Sequence, residues 1–277
     1  MQRIGWRFGR WTAVCLLALL LTSPAALAGK PRAEILWDTW GVPHIFARDE
    51  ESLFHAFGWA QAASHGNLLL RLYGQARGRG AEYWGEQYLE VDRWVRLNGV
   101  PARAREWRQA QPPAFRRSLD AFAAGINAYA ARHPDRLEEG VKVVLPVEAA
   151  DVLAHTHRVI HFSFVAAPPG PQQLQRLWQP APRAPARPTG GSNAWAVAPS
   201  RAAGGKAMLL ANPHLPWTDY FLFYEAQLAA QGVDVHGTSL VGFPVPGIAF
   251  NDYLGWTHTV ITLDGADYYL LTLSGDG

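Results

Sequence analysis

Between Ala166 and Pro188 the chain is dominated by Pro, Ala, Gln and Arg, a composition that sustains neither a helix nor a central strand. The residue pattern differs on its two sides. Upstream, Leu53, Phe57, Ala60, Leu68 and Leu72 recur on one face of a helix expected over Glu50 to Gly74. Two more helices are expected over Phe115 to Arg132 and over Val147 to Val165, the latter starting near Pro146. Only Glu34 to Phe46 departs from this, reading as a strand-turn-strand piece around Gly41-Val42-Pro43. Downstream the pattern becomes that of strands, expected over Ala194 to Pro199, Ala207 to Asn212, Phe221 to Ala229, Asp234 to Ser239, Ile248 to Asn251, Tyr253 to Thr257 and Tyr268 to Leu273. Gly204-Gly205 separates the first two as a hairpin turn would, and no internal repeat interrupts the order. The fold class is α+β, with a helical region over 29–167, a spacer over 168–191 and the start of a β-rich region over 192–277.

Residues 1–28 stand apart. Arg3, Arg7 and Arg10 precede an apolar run from Thr12 to Leu21, and Ala26-Leu27-Ala28 supplies small residues for cleavage, which together read as a signal peptide. The run is short for a membrane span of about 20 residues; an uncleaved anchor is the alternative, and no stable membrane insertion is expected once the leader is gone. A periplasmic or secreted location follows. The single cysteine, Cys15, lies inside this leader and lacks the small preceding residue of a lipoprotein site, so the exported chain has no disulfide. Loss of the three arginines takes the 25 basic residues to 22 against 23 acidic ones and the formal charge from +2 to −1, which gives no electrostatic case for nucleic acid. Twelve tryptophans and 49% apolar residues argue for a packed protein with apolar pockets.

Ser192 sits where the spacer meets the first downstream strand, within Gly190-Gly191-Ser192-Asn193-Ala194-Trp195. A glycine before it permits the backbone strain that internal peptide cleavage exploits. Once freed as a chain terminus, a serine carries its own base, because an unperturbed α-amine titrates at roughly 7.7–8.0. Two plainer readings compete. Gly-Gly-Ser is common in linkers, and Gly190-x-Ser192-x-Ala194 approximates the nucleophile elbow of other hydrolases. The elbow requires a strand before the serine and a helix after it, and here a Pro-rich segment precedes and a strand pattern follows.

Asn193-Ala194-Trp195-Ala196-Val197, Leu209-Leu210-Ala211-Asn212-Pro213-His214-Leu215-Pro216-Trp217 and Gly255-Trp256-Thr257-His258-Thr259-Val260 occur in a set order. So do Gly41-Val42-Pro43-His44-Ile45, Phe57-Gly58-Trp59-Ala60 and Ala76-Arg77-Gly78-Arg79-Gly80-Ala81-Glu82 upstream. Together they resemble the penicillin-acylase family of N-terminal-nucleophile hydrolases, the acyl-homoserine-lactone acylase branch above all, over about residues 34 to 275. The resemblance implies an αββα sandwich with Ser192 heading a central strand, a precursor cut into α- and β-chains, and no cofactor for catalysis. It assigns Ser192 as nucleophile, His214 as a group positioning its hydroxyl and amine, and the Val260 amide to the oxyanion hole. Histidine suits that role because it both donates and accepts, although a histidine flanked by prolines also serves as an ordinary loop residue. Asn193 either caps a turn or touches substrate. Asp264, the Ala266 carbonyl and Asp267 resemble a calcium loop with hard oxygen ligands, the alternative being a solvated Asp-Gly turn. His155, His157 and His161 read as packing or surface residues, because no Glu completes a zinc motif around them. By the same resemblance, the asparagine that completes the oxyanion hole falls beyond Gly277, so a fragment is expected to be silent alone. The implied substrate is a small N-acyl compound, an acyl-homoserine lactone first, a β-lactam side chain second; the rival reading is a non-catalytic fragment.

Overall fold

The computed structural model describes residues 32–165, 191–260 and Tyr269. The leader, the spacer apart from Gly191, and the strand expected over Tyr268 to Leu273 apart from Tyr269 lie outside the described residues. Strand β1 (Ala33–Trp37) and strand β2 (Pro43–Ala47) pair antiparallel. Asp38 makes the turn between them: its carboxylate accepts from the amides of Trp40 (2.8 Å) and Val42 (2.9 Å), and Gly41 takes the positive φ of 80° that the reversal needs. Those amide bonds hold the Asp38 carboxyl below the usual carboxylate range.

Helix α1 (Glu50–Ala76) starts on Asp49, whose side chain accepts from the Ser52 amide at 2.8 Å. It is bent at His65, whose φ of −137° and ψ of 29° leave the helical region within Ser64-His65-Gly66, a small-residue setting in which kinks form. Helix α2 (Gly80–Trp84), α3 (Leu89–Leu97) and α4 (Val100–Ala110) follow, then α5 (Pro113–Arg132) and α6 (Ala149–Val159), which runs into a π-helical turn over Ile160–Val165. The first three are helices that hydrophobic spacing alone did not single out. They are short, five, nine and eleven residues, and between them bury only Gly80, Asp92, Val95, Val100 and Ala104; Pro101 in the first turn of α4 is one sign of them in the sequence.

Helices α1 and α5 approach until backbone meets backbone. A Cβ on Gly58 would lie 2.1 Å from the Phe122 carbonyl oxygen, and one on Gly125 would lie 1.9 Å from that of His55. The Ala76–Glu82 motif is also architectural. Arg77, just past the end of α1, donates through Nε and Nη2 to the two Asp151 carboxylate oxygens, each at 2.7 Å, and to the Pro146 carbonyl at 3.0 Å. Asp151 in turn accepts from the Glu148 amide at the start of α6, while Asp92 of α3 accepts from the amides of Gly80 and Ala81.

After the spacer, strand β3 (Ser192–Val197) pairs antiparallel with β4 (Met208–Pro213) as a two-stranded ribbon. Strands β5 (Phe223–Ala230), β6 (Val233–Leu240), β7 (Ile248–Phe250) and β8 (Gly255–Trp256) continue the first sheet in the order β1-β2-β5-β6-β7-β8. All its pairings are antiparallel except β2 with β5. That parallel pair joins chain from both sides of the spacer into one sheet. Ile45, Tyr224, Ala226, Leu228 and Ala249 are buried, while Phe46, Glu225, Asp234 and Phe250, which alternate with them along the strands, are exposed. Ser192 heads a strand as expected, and among the described residues the only partner of that strand is β4, where the resemblance implies a central position. Strand partners are fixed by distant segments, which the local alternation around Ala194 does not report.

The turn after β6 is held by buried polar side chains from the helices. Gln61 accepts from the Gly242 amide (2.8 Å) and donates to the Phe243 carbonyl (2.9 Å); Tyr73 donates to the Gly242 carbonyl (2.7 Å). His155 Nε2 lies 3.0 Å from the Val241 carbonyl and therefore carries the proton it donates. Burial, with Arg158 nearby, pushes the His155 pKa down to about 3. The unfolded chain accepts that proton near pH 6.5 and the folded chain does not, so stability is complete above about pH 6.5 and falls as pH drops towards 3. Between pH 6.5 and 5 this site alone should cost about 2 kcal/mol. Urea unfolding at several pH values checks this: His155→Gln should flatten the acid slope, and an unchanged slope would contradict it.

Candidate active site

Ser192 opens β3 opposite Pro213, and Asn193 lies opposite Asn212. The register carries His214 past the end of β4 and back over Ser192, where its backbone amide donates to the Ser192 Oγ at 3.4 Å. The contact is long, and it comes from the main chain, not from the imidazole. His214 Nε2 lies 2.8 Å from Asn212 Oδ1 and 3.2 Å from Asn193 Nδ2. One ring nitrogen cannot donate to the first and accept from the second at once. The shorter contact assigns the proton to Nε2, donated to Asn212, and leaves Nδ1 as the lone-pair acceptor. The ring is thereby held by the Asn212 amide of the facing strand, next to the only described serine that begins a strand after the spacer.

This arrangement supplies a hydroxyl oriented by an amide and an imidazole with one acceptor nitrogen in reserve. Ser192 is partly buried, while Asn193, Asn212 and His214 are solvent-exposed. Asn212 is the residue that sequence reasoning passed over. Its sign was present in the hairpin: pairing a strand from Ser192 with one ending at Pro213 sets Asn212 across from Asn193.

Val260 falls in the irregular segment after β8 and is exposed, and among the described residues no hydrogen bond joins it to Ser192, Asn193 or His214. The sheet does touch the ribbon nearby, since Leu209 of β4 occupies the space a side chain on Gly255 would need, 2.8 Å from that Cβ position. Asp264, Ala266 and Asp267 lie outside the described residues. His155 is part of the core clamp above, and His157 packs against Trp107 with ring centroids 4.5 Å apart and planes tilted by 46°, its ring 5.3 Å from that of His161. Among the described residues no group of three His, Cys, Asp or Glu is placed to hold a metal, and no helix is long and apolar enough to cross a membrane.

Comparison with known proteins decides the family. The penicillin amidase family model matches residues 32–277. The chain belongs to the penicillin amidase family. The acyl-homoserine lactone acylase PvdQ of Pseudomonas putida is 32% identical over 95% of the chain and 38% of its own length. The penicillin acylase 2 proenzyme of a Pseudomonas species is 27% identical over 87% of the chain and 38% of its own length. The chain thus spans little more than a third of the curated relatives it matches. Penicillin G acylase from Alcaligenes faecalis aligns in structure over 56% of the chain and 95% of its own, with a TM-score of 0.43 and 22% identity.

Proposed function

We propose that the protein is an exported amide hydrolase whose nucleophile is Ser192, released as a chain terminus by cleavage of the Gly191–Ser192 bond. The observation that carries this reading is the Ser192 hydroxyl, held by the His214 amide at the head of β3, directly after the Pro-rich spacer. In the reaction, Ser192 Oγ attacks the amide carbonyl and its proton passes to the α-amine. The tetrahedral intermediate collapses with loss of the C–N bond, the leaving nitrogen takes that proton, and water hydrolyses the acyl-serine ester to free acid. His214, its ring held by Asn212, orients the hydroxyl and the new amine. The Val260 amide is one donor to the oxyanion. The two chains remain together as the working enzyme in the periplasm or outside the cell.

Acyl-homoserine lactones are the first substrate class and β-lactams with acyl side chains the second. The similarity to acyl-homoserine lactone acylases supports that order. Mass spectrometry of homoserine lactone released from a long-chain acyl-homoserine lactone, beside phenylacetate released from penicillin G, checks it. With the protein purified from its natural compartment, release from neither substrate would contradict the amidase reading, and release only from penicillin G would reverse the order.

His214→Ala keeps the backbone amide and removes the ring. It should lower turnover by about 10²-fold or more if the imidazole takes part in proton transfer. Asn212→Ala, which frees the ring to rotate, should give a smaller loss in the same direction. Wild-type rates in His214→Ala would return the residue to a loop role.

A further inference from the structure

The kink in α1 opens onto a cleft of about 580 Å³ between α1, the end of α5 and the 3-10 turn over Pro134–Arg136. His65, Asn67, Tyr129, His133 and Arg136 line it, with Leu68 as an apolar wall, and no carboxylate is among its lining residues. Its polar groups are mostly donors not taken elsewhere. Asn67 Oδ1 accepts from the Glu138 amide at 2.9 Å, which fixes the carboxamide and leaves Nδ2 without a partner among the described residues. The imidazoles of His65 and His133 make ring contacts, His65 edge-on to Tyr224 and His133 against Tyr129 and Trp59, and neither makes a hydrogen bond to a described residue. Arg136 has only a 4.0 Å approach to Asp135, with both side chains about three-quarters exposed. Glu138 is engaged by Arg71.

We propose that this cleft binds an organic carboxylate, its head held by Arg136, His133 and the Asn67 amide and its body lying against Tyr129 and Leu68. One permanent positive charge among neutral donors matches a monoanion better than a doubly charged phosphate. The volume falls in the range of small-molecule sites and has room for a short apolar body behind the head.

Hexanoate is the probe, with uncharged hexanamide and inorganic phosphate as comparisons, each measured by equilibrium dialysis against the purified protein. The Ser192 site can also take hexanoate, so the variants carry the test. Arg136→Gln lies at the exposed rim and leaves packing intact. It should weaken one saturable hexanoate site by about tenfold or more, as removal of a charge-assisted hydrogen bond does. His133→Gln should weaken the same site, and His214→Ala should leave it unchanged. Hexanoate binding equally tight in wild type and Arg136→Gln would overturn the proposal. So would hexanamide binding as well as hexanoate, or phosphate displacing hexanoate from this site at lower concentration.

Discussion

Replacement of Ser192 by alanine is expected to leave the precursor uncut between Gly191 and residue 192 and to remove amide hydrolysis, with a loss of at least about 10⁴-fold. Both effects arise from one atom. In the proposed mechanism the Oγ that attacks the substrate carbonyl is also the nucleophile that opens the Gly191–Ser192 bond to free the amine. Ser192→Cys separates the two roles, because a thiol attacks a strained peptide well but changes the proton inventory of the acyl-enzyme step. It should show chains of the processed sizes with much reduced turnover. Gel analysis and intact mass report the cleavage, and acid release from the acyl substrate reports turnover. An alanine variant that is still cut at the same bond and still hydrolyses amides would remove Ser192 from the mechanism.

Gly58→Ala should be strongly destabilising for a single added methyl. Helix propensity favours alanine by about 1 kcal/mol. Against that, the new Cβ would sit 2.1 Å from the Phe122 carbonyl oxygen, a main-chain atom that cannot rotate away. Overpacking of this kind costs about 3 kcal/mol, so the clash outweighs propensity. Gly125→Ala meets the reciprocal contact with His55 and should behave alike. With the propensity gain set against the clash, the net loss is about 2 kcal/mol, and differential scanning calorimetry should show Tm falling by roughly 4–8 °C for either variant. Ala63→Gly at an exposed position on the same helix gives the contrast, with only the propensity loss expected. A rise in Tm for Gly58→Ala would mean that α1 and α5 do not meet as described.

Much of this arrangement was legible because it is local. Gly41-Val42-Pro43 announced the first hairpin, and the recurrence of Leu53, Phe57, Ala60, Leu68 and Leu72 on one face announced α1. The strand pattern over Phe221 to Ala229 announced β5. What stayed hidden depends on partners far along the chain. The parallel pairing of β2 with β5 leaves no trace in either strand, and the contact that makes Gly58 indispensable lies on α5. The helices from Gly80 to Ala110 are short and bury few side chains, and where they pack is set by segments far along the chain. At the site, the sequence singled out Ser192, Asn193 and His214 one by one, and the hairpin register joined them through Asn212. That the His214 amide, and not its ring, meets the Ser192 hydroxyl is a fact of backbone geometry that residue identity does not encode.

The release of Ser192 is tested most directly by N-terminal sequencing and intact mass of the active protein purified from its natural compartment. The account predicts two chains, one of them beginning Ser192-Asn193-Ala194. A single uncut chain that hydrolyses amides at full rate would contradict it.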